Sequence, residues 1–171
     1  MKLSKERHLF GSAFTFFGHI NHRDTYIAHL EINYSIVGSS INSKSKLLKQ
    51  IADQYVYMGY DVDFYHEPLV PERLEAIVIP ELNMSITGYQ VKGSKKVLDL
   101  DQYLRENVMD GYTEELAISK DYYEKLMDQV YGNLKKTKIN HDKMETFYTP
   151  NIRFKEIDKV TADLLNRILK F

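Results

Sequence analysis

Eight consecutive residues in the first third of the chain have the types and spacing that bind phosphate groups. Against the loop pattern G-x-x-x-x-G-K-[ST], every fixed position matches except the second glycine, which is Ser43 here. In such a loop, successive backbone N–H groups and the N-terminus of the next helix surround an anion. The candidate binding residues of this phosphate loop are Gly38, Ser39, Ser40, Ile41, Asn42, Ser43, Lys44 and Ser45.

The chemistry expected of the phosphate loop is the binding of ATP, or of another nucleoside triphosphate, together with Mg²⁺. Lys44 would reach the β- and γ-phosphate oxygens, and the Ser45 hydroxyl would be a Mg²⁺ ligand. Ser43 adds a side chain where glycine leaves space, and a positive φ there costs about 1 kcal/mol more than it costs glycine. We therefore expect weakened binding, and weak or lost hydrolysis.

A second interpretation of the same residues needs no ligand. In it, Ser43 caps the N-terminus of a helix and Lys44 points into solvent, as in an ordinary strand-to-helix connection. Spacing alone favours neither interpretation, so both stay open.

An acidic residue that holds Mg²⁺ through water is also needed at the end of an apolar strand. The sequence offers Glu81 after a β-branched run, and Asp99 after a shorter one. We predict Glu81 as a catalytic residue together with Lys44. Since loops at the carboxyl ends of parallel strands share one crevice, His66, Glu67 and Glu81 are expected beside the phosphate loop. The alternative is that His66 ends a strand and Glu81 is a solvated turn residue.

Four histidines in the N-terminal part are candidate metal ligands, but their spacing does not support a metal site. The closest match to a helical pair is seven residues apart, two helical turns, which is too far for one ion. We therefore expect surface histidines at His8, His19, His22 and His29. Arg73 and Arg105 could stabilise phosphate charge, but isolated arginines are usually solvated or paired, so we assign them no role.

The sequence around the phosphate loop predicts the elements that such a loop needs. Apolar residues alternate from 30 to 37 and stop at Gly38, which indicates a strand that runs into a turn. Apolar residues then recur at helical spacing from Leu47 to Val56, and Gly59 is suited to end that helix. Further strands are predicted at 61–66, 74–79, 84–87 and 96–100.

The last third of the chain is predicted to be helical. Residues 113–148 keep one apolar face, and residues 154–171 carry a wide apolar stripe. We therefore divide a single domain, 1–171, into an α/β core at 1–112 and a helical part at 113–171. Packing on the domain's own sheet is the expected use of the two helices, and a homodimer surface is the alternative.

Length and composition exclude several classes of protein. A chain of 171 residues fits one domain with its own core. Because 23 basic residues nearly balance 24 acidic ones, no nucleic-acid partner is expected. The absence of cysteine excludes disulfides and thiolate chemistry and fits a cytoplasmic protein. No segment has the roughly 18 apolar residues of a membrane span, so no membrane partner is expected.

Four segments, taken in order, resemble a family of bacterial P-loop proteins described as ATPases or nucleotide kinases. They are the tripeptide that begins at His8, the phosphate loop, the stretch from Gly59 to His66 and the stretch from Ile77 to Leu82. Members look like two tandem P-loop lobes, and the resemblance covers most of this chain as one lobe. It implies an α/β, P-loop NTPase-like fold: a three-layer αβα arrangement with a mainly parallel sheet, here with two C-terminal helices.

The chain departs from the pattern of that family at three positions. Ser43 replaces the second loop glycine, Lys46 stands where a second hydroxyl residue is usual, and Glu67 stands in place of cysteine. We therefore predict a domain that binds a nucleotide or a phosphorylated small molecule, an ATPase whose hydrolysis is weak or lost. The alternative is a pseudo-NTPase, an interaction or regulatory module that binds no nucleotide. A nucleotide kinase would need a lid with arginines, and segment 88–110 holds one.

Overall fold

A computed structural model describes residues 3–104 and 110–169 of the chain. Eight strands lie within these described residues: β1 Glu6–Phe10, β2 Ser12–Thr15, β3 Gly18–Asn21, β4 Ile32–Val37, β5 Val62–Glu67, β6 Val70–Ile79, β7 Met84–Thr87 and β8 Lys96–Asp99. The α-helices there are α1 Arg23–Ile27, α2 Ile41–Tyr57, α3 Thr113–Tyr148 and α4 Phe154–Ile168. Short 3₁₀ turns lie at Pro80–Leu82, Asp101–Tyr103, Asp110–Tyr112 and Thr149–Asn151.

Six of the strands form one mixed sheet, in the order β1-β5-β6-β7-β4-β8. Strand β1 is parallel to β5, and β4 is parallel to both of its neighbours, β7 and β8. Strand β6 runs the other way, antiparallel to β5 and β7. The sheet is therefore mostly parallel and is combined with helices, which confirms the predicted α/β class.

Apolar side chains are buried on both faces of this sheet. On one face, α2 packs Leu48 and Ala52, which have no exposed surface, into one cluster with Phe64. On the other face, Tyr26 of α1 stacks on Tyr65 of β5, with ring centroids 3.7 Å apart. Burial on both faces explains the nearly continuous apolar run at the end of β6, because alternate side chains enter opposite clusters.

Helix α2 begins earlier than the apolar pattern predicts. Its first residue is Ile41, whereas the helical spacing becomes visible at Leu47. The Ser40 side chain accepts a hydrogen bond from the Ser43 amide, which is the arrangement of a helix N-cap. The polar stretch that was predicted as a loop is therefore mostly the first turn of the helix, where exposed side chains leave no apolar signal.

Strand β6 also begins earlier than predicted, at Val70 and not at Leu74. The turn from β5 holds two residues, and Pro71 lies inside the new strand. A register shift next to His66 separates the start of β6 from the regular part of its ladder with β5. Such an irregularity accommodates proline, whose missing N–H cannot take part in a regular ladder.

The helical part follows the prediction in extent but not in packing. Helix α3 covers residues 113–148 as predicted, and α4 ends at Ile168. Neither helix has a buried residue, so the expectation that both pack on the sheet is wrong. Helix α3 instead touches the β2–β3 hairpin, where the rings of Phe14 and Tyr131 approach each other. No described helix combines the length and the apolar character that crossing a membrane requires.

Candidate phosphate-binding site

The phosphate loop lies at the end of an interior strand. Strand β4 is flanked by the parallel strands β7 and β8, and it ends at Val37. Gly38 follows with a φ of +137°, a backbone conformation that residues other than glycine rarely adopt. A Cβ atom at Gly38 would lie 3.1 Å from Asp101 Oδ1 and 3.2 Å from Leu100 Cβ. Glycine is therefore required here both for the turn and for the approach of the segment after β8.

The carboxylate of Asp101 binds the first amide of the phosphate loop. The Ser39 N–H donates to both carboxylate oxygens, at 2.8 and 2.9 Å, and the Ser39 hydroxyl donates to Oδ1 at 2.9 Å. An anion bound to a backbone amide next to a helix N-terminus is the interaction that a phosphate group would make. An internal carboxylate therefore already occupies part of the anion-binding capacity of this loop.

Ser40, and not Ser43, caps helix α2. The Ser40 oxygen accepts from the Ser43 amide at 3.2 Å, and the two hydroxyl groups are 2.8 Å apart. The amide of Lys44 already makes a helical bond to the Ser40 carbonyl, at 3.2 Å. The cap at Ser43 in the second interpretation of the sequence is thus wrong by three residues, because the connection from β4 to α2 holds three residues rather than six.

The hydroxyl of Ser45 ties helix α2 to strand β6. Ser45 is buried, and its Oγ accepts a hydrogen bond from the Leu74 amide at 2.9 Å. The Leu74 amide lies at the register shift between β5 and β6, where the side-chain hydroxyl supplies its acceptor. A hydroxyl oxygen has a second lone pair, so Ser45 as a Mg²⁺ ligand would have to share its oxygen with this structural bond.

Lys44 is half-buried and lines a cavity of about 220 Å³ at the same edge of the sheet. The other groups around this cavity come from α1, from the start of α2, from both strands of the β5–β6 hairpin and from the segment after β7. They are Arg23, Ile41, Glu67, Leu74, Glu75, Gly88 and Tyr89. The cavity therefore combines two cationic side chains with two carboxylates and an aromatic ring.

One wall of the cavity is a polar cluster formed by Arg23, Tyr26, Glu75 and Tyr89. The Glu75 side chain is 7% exposed, and Arg23 donates to its Oε2 from Nη2 at 2.6 Å and from Nε at 3.2 Å. Tyr26 donates to Glu75 Oε1 at 3.3 Å, and its hydroxyl lies 2.8 Å from that of Tyr89. The Arg23 guanidinium also lies 4.6 Å from the centre of the Tyr89 ring. The charge of Glu75 is therefore compensated inside the fold.

Both tyrosines of the polar cluster stay neutral at physiological pH. Burial is the main cause that raises the pKa of Tyr89 to about 12, and the nearby charge of Glu75 raises it too. Burial, followed by the hydrogen bond with Tyr89, raises the pKa of Tyr26. Neutral hydroxyls can donate and accept hydrogen bonds, so the cluster presents an orienting surface to the cavity without adding charge.

The two acidic candidates lie at opposite edges of the sheet, one where β4 and β8 end and the other where β4 begins. Asp99 is the last residue of β8 and faces Val37 in the parallel ladder, so it lies next to the phosphate loop. Glu81 follows β6, and because β6 is antiparallel, Glu81 lies at the other edge. There its carboxylate accepts from the Asp61 amide at 3.4 Å. The expectation that Glu81 lies beside Lys44 is therefore wrong, for a reason of strand direction.

His66 and Glu67 are at the predicted edge, since β5 runs in the same direction as β4. Glu67 lines the cavity with Lys44, and its Oε2 lies 3.6 Å from Arg73 Nη1. The two ring nitrogens of His66 lie near His8 Nδ1, at 2.8 Å, and near the Pro71 carbonyl. His66 is thus held by structural contacts, while Glu67 is a half-buried member of the cavity wall.

The described residues form no metal-ligand cluster from the four N-terminal histidines. Within the described part of the chain, the group with suitable ligand spacing is His141, Asp142 and Glu145 on α3. These side chains are paired along the helix, Asp142 with Lys138 and Glu145 with His141. We assign no metal to them. Arg105 lies outside the described residues.

Sequence reasoning missed the polar cluster and Asp101. The cluster joins residues from α1, β6 and the end of β7, and no sequence spacing connects positions 23, 75 and 89. Glu75 alone gave a signal, as the one charged residue of the strand predicted at 74–79. The sequence offered Asp99, the last residue of β8, as an acidic candidate, whereas the carboxylate that contacts the phosphate loop is that of Asp101.

Comparisons of the chain with protein-family models, with curated proteins and with solved structures gave no match. The resemblance to bacterial P-loop proteins therefore stays a prediction from the quoted segments.

Proposed function

We propose that this chain is a P-loop NTPase-like domain that binds a nucleoside triphosphate, or another phosphorylated small molecule, at the N-terminus of α2. The observation that carries the proposal is the connection at Gly38, between an interior strand with two parallel neighbours and a helix of 17 residues. Lys44, in the first turns of that helix, lines the adjacent cavity. The three-layer αβα arrangement of that class is part of the same proposal.

Electrostatics and hydrogen bonding support a phosphate ligand at this position. The first amides of a helix have no partner within the helix, and the helix dipole adds about half a positive charge there. The amides of Ile41 and Asn42 are such donors, since the internal bonds of the loop use the amides of Ser39 and Ser43. Lys44 adds a cationic side chain at the cavity next to these amides, whereas the charge of Arg23 is paired with that of Glu75.

The same geometry predicts weak binding and little hydrolysis. A phosphate group near Ser39 must displace the Asp101 carboxylate or tolerate its negative charge. The Ser45 oxygen is already bonded to the Leu74 amide, which limits it as a Mg²⁺ ligand. Of the two acidic candidates, Asp99 and not Glu81 would hold Mg²⁺ through water, because Asp99 lies at the end of β8 next to the loop.

Titration calorimetry with ATP and Mg²⁺ on three proteins tests the proposal. Wild type is expected to bind, and Lys44→Ala is expected to bind at least about tenfold more weakly, since it removes the charge from the cavity. Lys46→Ala is the matched control, because Lys46 is an exposed lysine two residues further along the same helix. Absence of binding to wild type, or equal losses in the two variants, would reject the proposal.

Asp101→Asn tests the role of the internal carboxylate. The amide side chain keeps an acceptor for the Ser39 N–H but removes the negative charge, so ATP should bind about tenfold more tightly than to wild type. Asp53→Asn removes an exposed carboxylate far along α2 and serves as the control. An Asp101→Asn protein with unchanged affinity would show that the carboxylate does not compete with phosphate.

A second candidate function is that of a pseudo-NTPase, an interaction module that binds no nucleotide. The specific observation in its favour is that internal groups already satisfy the Ser39 and Ser43 amides. In this case Ser43→Gly would change the free energy of unfolding without creating affinity for ATP. The calorimetry described above distinguishes the two functions, because a pseudo-NTPase shows no heat of binding in any of the variants.

A further inference from the structure

One side of helix α3 carries a heptad pattern in which most positions are apolar. One set of positions repeats every seven residues, at Leu116, Tyr123, Val130, Thr137 and Met144. A second set lies four residues after each of these, at Lys120, Met127, Leu134, His141 and Tyr148. Alternating spacings of three and four residues over the whole helix are typical of coiled-coil pairing. We call these ten positions the α3 seam.

Most of the α3 seam faces solvent. Its four apolar members in the first set are between 41% and 51% exposed, which is unusual for side chains of this kind in a regular row. The β2–β3 hairpin covers one border of the seam, where Phe14 approaches Tyr131 and Lys138 lies over the Phe16 ring. Met127 and Leu134, on that border, are half-buried. The other apolar members of the seam are exposed.

The charges of α3 are divided between its two halves. Residues 113–130 have a net formal charge of −3, from Glu114, Glu115, Asp121, Glu124 and Asp128 against Lys120 and Lys125. Residues 131–148 have a net formal charge of +2, from Lys135, Lys136, Lys138 and Lys143 against Asp142 and Glu145. The helix therefore has an acidic first half and a basic second half.

Ion pairs along the helix leave this division in place. Lys120 pairs with Glu124, Lys125 with Asp121, and Lys138 with Asp142. Within the described residues, no ion pair involves the three remaining acidic side chains of the first half, Glu114, Glu115 and Asp128. The same holds for three basic side chains of the second half, Lys135, Lys136 and Lys143.

We propose that α3 is a self-association surface, on which two copies of this chain pair in antiparallel orientation along the α3 seam. Antiparallel pairing places the acidic half of each helix beside the basic half of the other, whereas parallel pairing places like charges side by side. A helix of 36 residues is about 54 Å long, enough for five heptads to pack side by side. The partner that fits both the apolar row and the charge distribution is therefore a second copy of the same helix.

Analytical ultracentrifugation over a hundredfold range of protein concentration tests the association. Wild type is expected to form a dimer, and Val130→Glu, which places a charge in the middle of the seam, should weaken the dimer at least about tenfold. Ile118→Glu is the matched control, because Ile118 is similarly exposed, at 49%, but lies on another side of α3. Circular dichroism verifies that both variants keep their helix content.

Two outcomes of the sedimentation experiment overturn the proposal. The first is a wild-type monomer at every concentration. The second is an equal effect of Val130→Glu and Ile118→Glu, which would place the contact elsewhere on the helix.

A distance measurement tests the orientation. The chain has no cysteine, so Ser119→Cys and Asn140→Cys, at exposed positions that border the α3 seam without belonging to it, each provide one attachment site for a spin label. With 1.5 Å of rise per residue, antiparallel pairing about the middle of α3 separates the two labels of a dimer by about 30 Å in either variant. Parallel pairing would bring them within about 10 Å, and that distance would overturn the proposal. Neither experiment uses a nucleotide, so its result is independent of the proposed function.

Discussion

The α/β core and the helical part of this chain use their apolar side chains in opposite ways. Among the described residues, those that are buried lie between positions 11 and 87, and none lies in 113–169. The helical part nevertheless carries large apolar side chains, such as Phe147 at 74% exposure and Ile168 at 58%. The core is therefore stabilised by contacts within the chain, whereas the apolar rows of the helices are largely exposed.

Helices α2 and α4 illustrate this contrast. Both have an apolar stripe at helical spacing, but Leu48 of α2 has no exposed surface, while Leu164 of α4 is 56% exposed. An amphipathic pattern states that one face of a helix needs a partner, without specifying which surface supplies it. The two helices differ in their connections: α2 joins two strands of one sheet, which holds it against that sheet, whereas α4 joins no strands.

The largest effect is expected from truncating one phenylalanine in each part. Phe64 is 1% exposed in the core, so Phe64→Ala should lower the free energy of unfolding by about 3–5 kcal/mol, through lost burial and a cavity. Phe147→Ala, at an exposed position of α3, should change it by less than about 0.5 kcal/mol. Urea unfolding followed by circular dichroism gives both values, and similar losses would contradict the contrast between the two parts.

A smaller loss is expected from breaking the polar cluster. Arg23→Met leaves the Glu75 carboxylate buried without its cation, which should cost about 2–3 kcal/mol because Arg23 is itself partly exposed. The same urea titration measures this loss. The double variant with Glu75→Met should recover much of the stability, since no buried charge is left. If the two losses simply add, the pair is not coupled as the geometry indicates.

Alkaline pH tests the same cluster through Tyr89. In the unfolded chain tyrosine loses its proton near pH 10, whereas the pKa of folded Tyr89 is about 12. Tyr89 therefore makes its full contribution to the free energy of unfolding below pH 10 and loses it between pH 10 and 12. The loss is up to about 2 kcal/mol after allowance for the solvated part of the ring. Unfolding free energies of wild type and Tyr89→Phe across this range should converge. Tyr122→Phe, at an exposed position, should follow the wild-type curve.

The smallest effect concerns the start of α2. Ser40→Ala removes the acceptor of the Ser43 amide and should cost about 1 kcal/mol of unfolding free energy, whereas Ser40→Asp should keep most of the cap. Ser43→Ala leaves this acceptor in place and should cost less. Thermal unfolding of the three variants ranks their losses of stability. A larger loss for Ser43→Ala than for Ser40→Ala would indicate that Ser43 is the cap, as in the second interpretation of the sequence.

Much of the local structure was readable from the sequence. The strand before Gly38 and the extent of α3 follow directly from periodicities of two and of 3.6 residues. The strand β1 gave no such signal, because all of its residues are exposed at the edge of the sheet. The start of α2 was hidden for a similar reason, since the side chains of its first turn are polar and solvated.

The candidate site was predictable in one half and not in the other. Gly38 and Lys44 belong to a contiguous pattern, so their proximity follows from the chain itself. Asp101, in contrast, is 62 residues from Ser39, and its contact depends on β8 pairing next to β4. Glu81 was placed at the wrong edge, because no sequence signal revealed that β6 runs antiparallel to its neighbours.

The α/β class, the turn at Gly38 and the apolar rows of the long helices follow from the sequence alone, because each depends on residues that are close together in the chain. Which strands are neighbours, and in which direction they run, depends on how the whole chain packs. These choices depend on burying both faces of the sheet at once, a property of the whole core and not of any segment. They brought Asp101 to the phosphate loop, moved Glu81 away from it and left α3 exposed.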